Sequence, residues 1–125
     1  MSRRREEHNL QASFFKWLRY QYPYLDDISF AIPNAARRSP QLGAYMKAEG
    51  LKAGVWDVFI PWPTNKSPGL WLEFKIHPNK LTDTQKQFRD KLTELGYCMN
   101  VVYTLEEAVS ALKHYIVGFE RDRFK

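Results

Sequence analysis

"GVWDVFIPWPTNKSPGLWLEFK", residues 54–75, decides how the chain is read. Two apolar segments rich in β-branched and aromatic residues flank "PTNKSPG", a loop rich in turn formers. They read as strands, "WDVFIPW" and "GLWLEFKIH", joined closely enough to be antiparallel neighbours. Side chains alternate across a strand. Leu70, Leu72, Phe74 and Ile76 therefore point one way, and Trp71, Glu73, Lys75 and His77 the other. In the first strand Val55, Asp57 and Phe59 share a face. A register that sets Asp57 beside Glu73 gathers two carboxylates and a lysine on one half-buried surface.

Such carboxylates, buried and unpaired, cost several kcal/mol. A lysine offsets part of that cost and a divalent cation offsets more. Hard oxygen donors with few protein contacts suit Mg²⁺, which keeps waters for itself and for a phosphate. An ion so held polarises a phosphoryl oxygen and generates or positions a hydroxide, while the lysine steers the attacking water and offsets transition-state charge. The same residues also allow a plainer reading. Glu73 and Lys75 can be an exposed ion pair worth roughly 0–1 kcal/mol, and Asp57 a solubilising residue at a strand edge.

Working outward, "RREEHNLQASFFKWLRYQ" (residues 4–21) reads as a helix, with Leu10, Phe14, Trp17 and Leu18 as its core stripe. The run breaks at Pro23, and "DDISFAIP" reads as a short strand ending at Pro33. "NAARR" is a loop. "SPQLGAYMKAEG" opens with a cap and a proline, the signature of a helix, and Gly50 ends it. After the paired strands, "LTDTQKQFRDKLTELG" is a helix with a capping box at Thr82 and Gln85. "YCMNVVYT" is the fourth strand. "TLEEAVSALKHYIV" is the last helix, capped by Thr104 with Glu107, and "GFERDRFK" (118–125) is a charged tail expected to fray. This order predicts one mixed α/β domain over residues 1–125, with a four-stranded sheet flanked by helices.

The bulk composition sets limits on function. At 125 residues, 44% hydrophobic and 15% aromatic, the chain is long and apolar enough to bury a core without staples. A single cysteine, Cys98, excludes an internal disulfide framework, fits a reducing cytoplasm, and reads as a buried inert thiol. No apolar run reaches the roughly 20 residues that span a bilayer, and the basic N-terminus lacks the apolar segment of a secretory signal. A cytoplasmic location is expected. The formal charge of +5 suits a polyanion without requiring one. No P-loop or dinucleotide fingerprint occurs, so no nucleotide cofactor is expected. His8, His77 and His114 have no zinc-ligand spacing. No helix-turn-helix or zinc-finger pattern is visible, so affinity for a nucleic acid would come from phosphates and fall with salt.

"AGVWDVFIPWP" followed by "GLWLEFKIHPNKLTDTQKQF" resembles the PD-(D/E)XK nuclease superfamily, and within it the small stand-alone VRR-NUC branch of phages and bacteria. The likeness runs from Glu7 to about Ala108 and takes in "EEHNLQASFFKWL", "FAIPNAARRS" and "MKAEGLKAGVWDVFIP". It implies a restriction-endonuclease-like core and a Mg²⁺- or Mn²⁺-dependent DNA endonuclease, selective for branched DNA such as four-way junctions and often homodimeric. Asp57, Glu73 and the backbone carbonyl of Phe74 would hold the metal, and Lys75 would orient the water. Glu7 matches the family's additional acidic residue and possible ligand. Gln85 matches a glutamine that follows the motif strand. Where many members have proline before the aspartate, this chain has Trp56, expected to pack against a neighbour or a dimer partner.

Each satellite residue has a plainer reading beside the functional one. Glu7 can simply favour the positive end of the first helix, a duty Glu6 fills equally well. Gln11, one turn on, would face the same way as Glu7. Gln85 can serve the capping box alone, or reach a phosphate or the attacking water. Asn34, Arg37 and Arg38 in the loop after the first strand, and Lys47 and Lys52 around the next turn, read as DNA-backbone contacts or as solvated polar residues. "RRR" at 3–5 reads as a flexible basic arm. His77 shares the face of Glu73 and Lys75 and would line the cleft. Trp62 and Trp71 read as packing or interface residues. Three function classes follow: a metal-dependent endonuclease, a DNA-binding module on the same fold with catalysis lost or supplied by a partner, and a homo-oligomeric protein without nucleic-acid function.

Overall fold

Leu70, Leu72 and Phe74 are essentially solvent-free, as the alternation in "LWLEF" requires, and the rest of the molecule is arranged around their strand. The computed structural model describes residues 2–33 and 39–123, with side chains described up to residue 117. Its elements are α1 (Arg3–Gln21), α2 (Pro23–Asp26), β1 (Phe30–Ala31), α3 (Pro40–Ala48), β2 (Val58–Ile60), β3 (Leu70–Phe74), α4 (Asp83–Glu94), β4 (Cys98–Val102) and α5 (Leu105–Arg123). The strands form one sheet in the order β1-β2-β3-β4. β1 pairs antiparallel with β2 and β2 antiparallel with β3, whereas β3 and β4 are parallel. A parallel pair needs a crossover, which α4 supplies. This is the expected mixed four-stranded sheet flanked by helices.

The two faces of β3 are covered differently. Phe14 of α1 packs against Phe74 with ring centroids 5.7 Å apart. Leu18 from α1 and Ala108, Leu112, Tyr115 and Ile116 from α5 complete that side of the core. Truncating a residue as buried as Phe14 to alanine would cost about 3–5 kcal/mol. On the opposite face Trp71 stacks on Phe59 at 4.4 Å and meets Phe88 of α4 edge-on at 5.0 Å. Trp71 is therefore a packing residue, as is Trp62, whose ring lies 5.3 Å from that of Tyr24.

Several boundaries depart from the sequence reading. α2 is an extra four-residue helix at Pro23, too short to show a period. The first strand shrinks to Phe30–Ala31 and the second stops at Ile60, because Pro61 cannot donate to a ladder. The arginines at 3–5 are not a loose arm. They form the first turn of α1, capped by the Ser2 hydroxyl, which accepts from Arg5 N at 3.2 Å. The last helix, which the sequence reading ended at Val117, continues to Arg123. Cys98 is half-buried, and burial pushes its thiol up, in line with an inert thiol.

The segment leading into β2 is pinned against α4. Gly54 adopts φ +88°, and a Cβ there would lie 2.6 Å from the carbonyl oxygen of Thr84. Gly50 also has a positive φ, but nothing lies within 4 Å of its would-be Cβ. Gly50→Ala should therefore cost only the left-handed backbone strain, about 1 kcal/mol. Gly54→Ala adds a collision with main chain and should cost about 3 kcal/mol. Urea unfolding of the two variants checks this; equal midpoints would contradict it.

Candidate active site

The β2–β3 ladder sets the register on which the site depends. Val58 pairs with Leu72, Phe59 with Trp71 and Ile60 with Leu70. One step further along this ladder, Asp57 faces Glu73. Main chain stops pairing there and side chains take over. Asp57 N donates to Glu73 Oε1 at 3.1 Å, and Phe74 N donates to Asp57 Oδ2 at 2.9 Å. Lys75 N turns the other way, to Val102 O on β4. A strand residue's C=O and N–H point to the same edge, so the Phe74 carbonyl faces the Asp57 side as well.

Glu73 is 3% exposed and Lys75 is 9% exposed, so neither is a surface ion-pair partner. Lys75 Nζ lies 3.5 Å from Glu73 Oε2. The same oxygen accepts from Gln85 Nε2 at 3.0 Å. Gln85 Oε1 accepts from Thr82 N at 2.9 Å while Thr82 Oγ1 accepts from Gln85 N at 3.3 Å. The capping reading of Gln85 holds, and the amide has a further partner that the sequence reading did not name: one end caps α4 and the other donates to Glu73.

Asp57, Glu73, Lys75 and Gln85 form one wall of a cleft of about 330 Å³, and Arg4, Glu7, His8 and Gln11 of α1 line it as well. Glu7, and not its neighbour Glu6, is the helix acid that reaches this cleft. A larger groove of about 970 Å³, between the 64–67 loop, β4 and α5, contains none of the sequence-predicted site residues. Arg4 and His8 were missed as site residues, although positions 4, 7, 8 and 11 share one helix face. Once Glu7 and Gln11 were placed, that spacing was the available signal.

The reading of His77 is corrected, and the remaining residues fall as follows. His77 does not line the cleft. β3 ends at Phe74, so strand alternation no longer governs residue 77, and the ring stacks on Tyr103 at 4.0 Å. Lys47 and Lys52 are exposed but outside the cleft lining. Trp56 is fully buried within the chain and donates from Nε1 to Gln85 O at 3.0 Å. Asn34, Arg37 and Arg38 lie outside the described residues.

Electrostatically the pair is held under tension. Burial, and then the charge of Asp57, push the Glu73 carboxyl up to about 8, against the pull of Lys75. Burial also raises Asp57; the Phe74 N–H and Lys75 oppose this, while the charge of Glu7 adds to it. The donor set fits a hard divalent cation. Two carboxylates that resist ionising together gain most from a dication, and their oxygens match Mg²⁺ or Mn²⁺. Among the described residues no three His, Cys, Asp or Glu side chains are grouped to hold a metal. Asp57 and Glu73 would therefore hold such an ion with the Phe74 carbonyl and water, as suits Mg²⁺.

A mixed sheet carrying Asp, Glu and Lys in this arrangement is the restriction-endonuclease-like PD-(D/E)XK core. The family model for the VRR-NUC domain matches residues 1–105, and the chain belongs to that family. It is also similar to a solved structure titled "VRR_NUC domain protein", at 26% identity and a TM-score of 0.76, over 88% of this chain and 87% of that one. None of the curated proteins matches it. Membership makes this a nuclease-type domain and implies DNA as its partner. Among the described residues no helix is long and apolar enough to cross a membrane.

The raised Glu73 carboxyl has a consequence for stability. The folded chain holds this proton more tightly than the unfolded one, where the carboxyl has its ordinary value of 4.5. The resulting stabilisation is complete below that value and is lost as pH rises through about 8. Metal-free protein should therefore lose stability across this window. Asp57→Asn removes the neighbouring charge, so it should raise Tm at alkaline pH by about 5 °C and flatten the decline. Thermal melts in chelator, from about pH 4 to pH 9, test this. A wild-type Tm that rises through the window would contradict it.

Proposed function

We propose that the chain is a Mg²⁺- or Mn²⁺-dependent DNA endonuclease that hydrolyses phosphodiester bonds in this cleft. The observation that carries the reading is the convergence of half-buried Asp57 with buried Glu73 and Lys75, with the Asp57 and Glu73 carboxyls both raised. A pure DNA-binding module has no need of two repelling carboxylates where a polyanion docks.

A divalent cation held by Asp57, Glu73 and the Phe74 carbonyl would supply the charge that polarises the phosphoryl oxygen and makes a bound water acidic. The chain's own residues do the rest. Lys75, poised beside Glu73, orients the attacking water and offsets charge that gathers on the phosphoryl oxygens. The water oxygen bonds to phosphorus and one P–O ester bond breaks, leaving a phosphomonoester and an alcohol. Gln85 keeps the Glu73 carboxylate turned toward the site. Arg4, His8 and Gln11 present a polar and basic wall to the phosphates on either side of the scissile one.

The family resemblance makes branched DNA, and four-way junctions first, the substrate to test. It also implies a homodimer, since two symmetric cuts need two active sites. The second reading is supported by α3. None of its residues is buried, and it exposes Leu42 and Tyr45 at 46% and 68%. A second copy of the chain would cover them.

Purified protein with labelled junction, flap and linear duplex should cleave at least one of them in Mg²⁺ or Mn²⁺. Lys75→Ala should lower the rate by about 100-fold or more. Equal products from wild type and Lys75→Ala in every metal would reject the enzyme and leave a binding module. Arg4→Ala should weaken DNA binding and reduce the slope of log affinity against log salt by about one. An unchanged slope would remove Arg4 from the phosphate contacts.

A further inference from the structure

Trp56 occupies the position before the site aspartate, and the geometry gives it more to do than fill space. Its indole is fully buried, and Nε1–H donates to the Gln85 carbonyl at 3.0 Å. An indole N–H can only donate, so the direction of this bond is fixed. Gln85 is the third residue of α4, and the preceding residue, Thr84, is the one that Gly54 abuts. Residues 54–56 are thus fastened at two points to the first turn of α4.

From that turn Gln85 reaches Glu73. Its amide orientation is settled by the capping box, because Oε1 is engaged with Thr82 N. Nε2 is the end left to donate to Glu73 Oε2. The other Glu73 oxygen accepts from Asp57 N. The bonds therefore form a closed circuit: Asp57 to Glu73, Glu73 to Gln85, Gln85 to Trp56, and Trp56 back to Asp57 through the chain. Both carboxylate oxygens of Glu73 are tied into it.

We propose that Trp56 is a positioning residue: by holding the Gln85 carbonyl it fixes the turn from which Gln85 orients the Glu73 carboxylate toward Asp57. The plainer account of a buried Trp is packing with its N–H satisfied. The two differ in whether the loss of one N–H is felt at Glu73. Partners that orient a ligand from behind it change metal affinity or activity by about 10–100-fold when lost. The metal part of this inference rests on the proposed function; the orienting circuit does not.

The test replaces Trp56 with 3-benzothienylalanine, which keeps the ring shape but puts sulfur where the N–H was, alongside Trp56→Phe. The first readout needs no metal. Proton exchange of the Gln85 side-chain amide, followed by NMR on folded protein, should speed up by about tenfold; unchanged exchange in the benzothienyl variant overturns the proposal. The second is the Mg²⁺ concentration giving half-maximal cleavage. It should rise by about tenfold in either variant, and no further when Gln85→Met is added. Effects that multiply would mean Trp56 acts on its own, which also overturns it. Wild type that neither binds Mg²⁺ nor cleaves would fail the nuclease reading, while the exchange measurement still decides the role of Trp56.

Discussion

Two carboxylates that would separate in water are brought together here by a ladder of apolar residues. Val58, Phe59 and Ile60 pair with Leu72, Trp71 and Leu70, and burial of Leu70, Leu72 and Val58 makes a slipped register expensive. Once that register is set, Asp57 must meet Glu73. The tension shows in the Glu73 carboxyl, pushed up to about 8. Stability is spent to keep the pair poised, and the backbone N–H groups of Asp57 and Phe74, with Lys75 and Gln85, keep the arrangement from being worse. The cleft then derives its chemistry from what the fold cannot neutralise alone.

The support is distributed over distant parts of the chain. α1 brings Glu7 and Gln11 to the cleft because its Phe14 and Leu18 are anchored in the core one and two turns further along. Arg3 Nη1 donates to Asn79 Oδ1 at 3.2 Å, tying the start of α1 to the loop after β3. α4 brings Gln85 because the 54–56 segment clamps its first turn. A charge of +5 over the whole chain, with Arg4 at the cleft, suits this acidic centre to a polyanionic partner.

Much of this was legible in residues 54–75 because strand alternation is a strict rule where one face is buried. It placed Leu70, Leu72 and Phe74 in the core and Glu73 on the opposite face. The capping spacing of Thr82 and Gln85 was equally readable, but its second use was not. Nothing in a Thr-x-x-Gln spacing says that the far end of the amide meets a carboxylate from another strand. His77 was misplaced because alternation was carried past the end of β3. Trp56 was legible only as a departure from proline, since the bond that gives it a role spans from residue 56 to residue 85. Arg4 and His8 escaped although they share a helix face with Glu7 and Gln11, because the arginines at 3–5 were read as a loose arm and not as the first turn of that helix.

The central claim is that the Asp57–Glu73 pair is a trap for a divalent cation. Isothermal titration of Mg²⁺ into the protein near neutral pH, in buffers of differing ionisation enthalpy, measures it directly. Binding should release close to one proton per ion, because Glu73 must give up the proton it holds, and Asp57→Asn should abolish the binding. No uptake of Mg²⁺ or Mn²⁺, or uptake that ignores Asp57 and releases no proton, would contradict it.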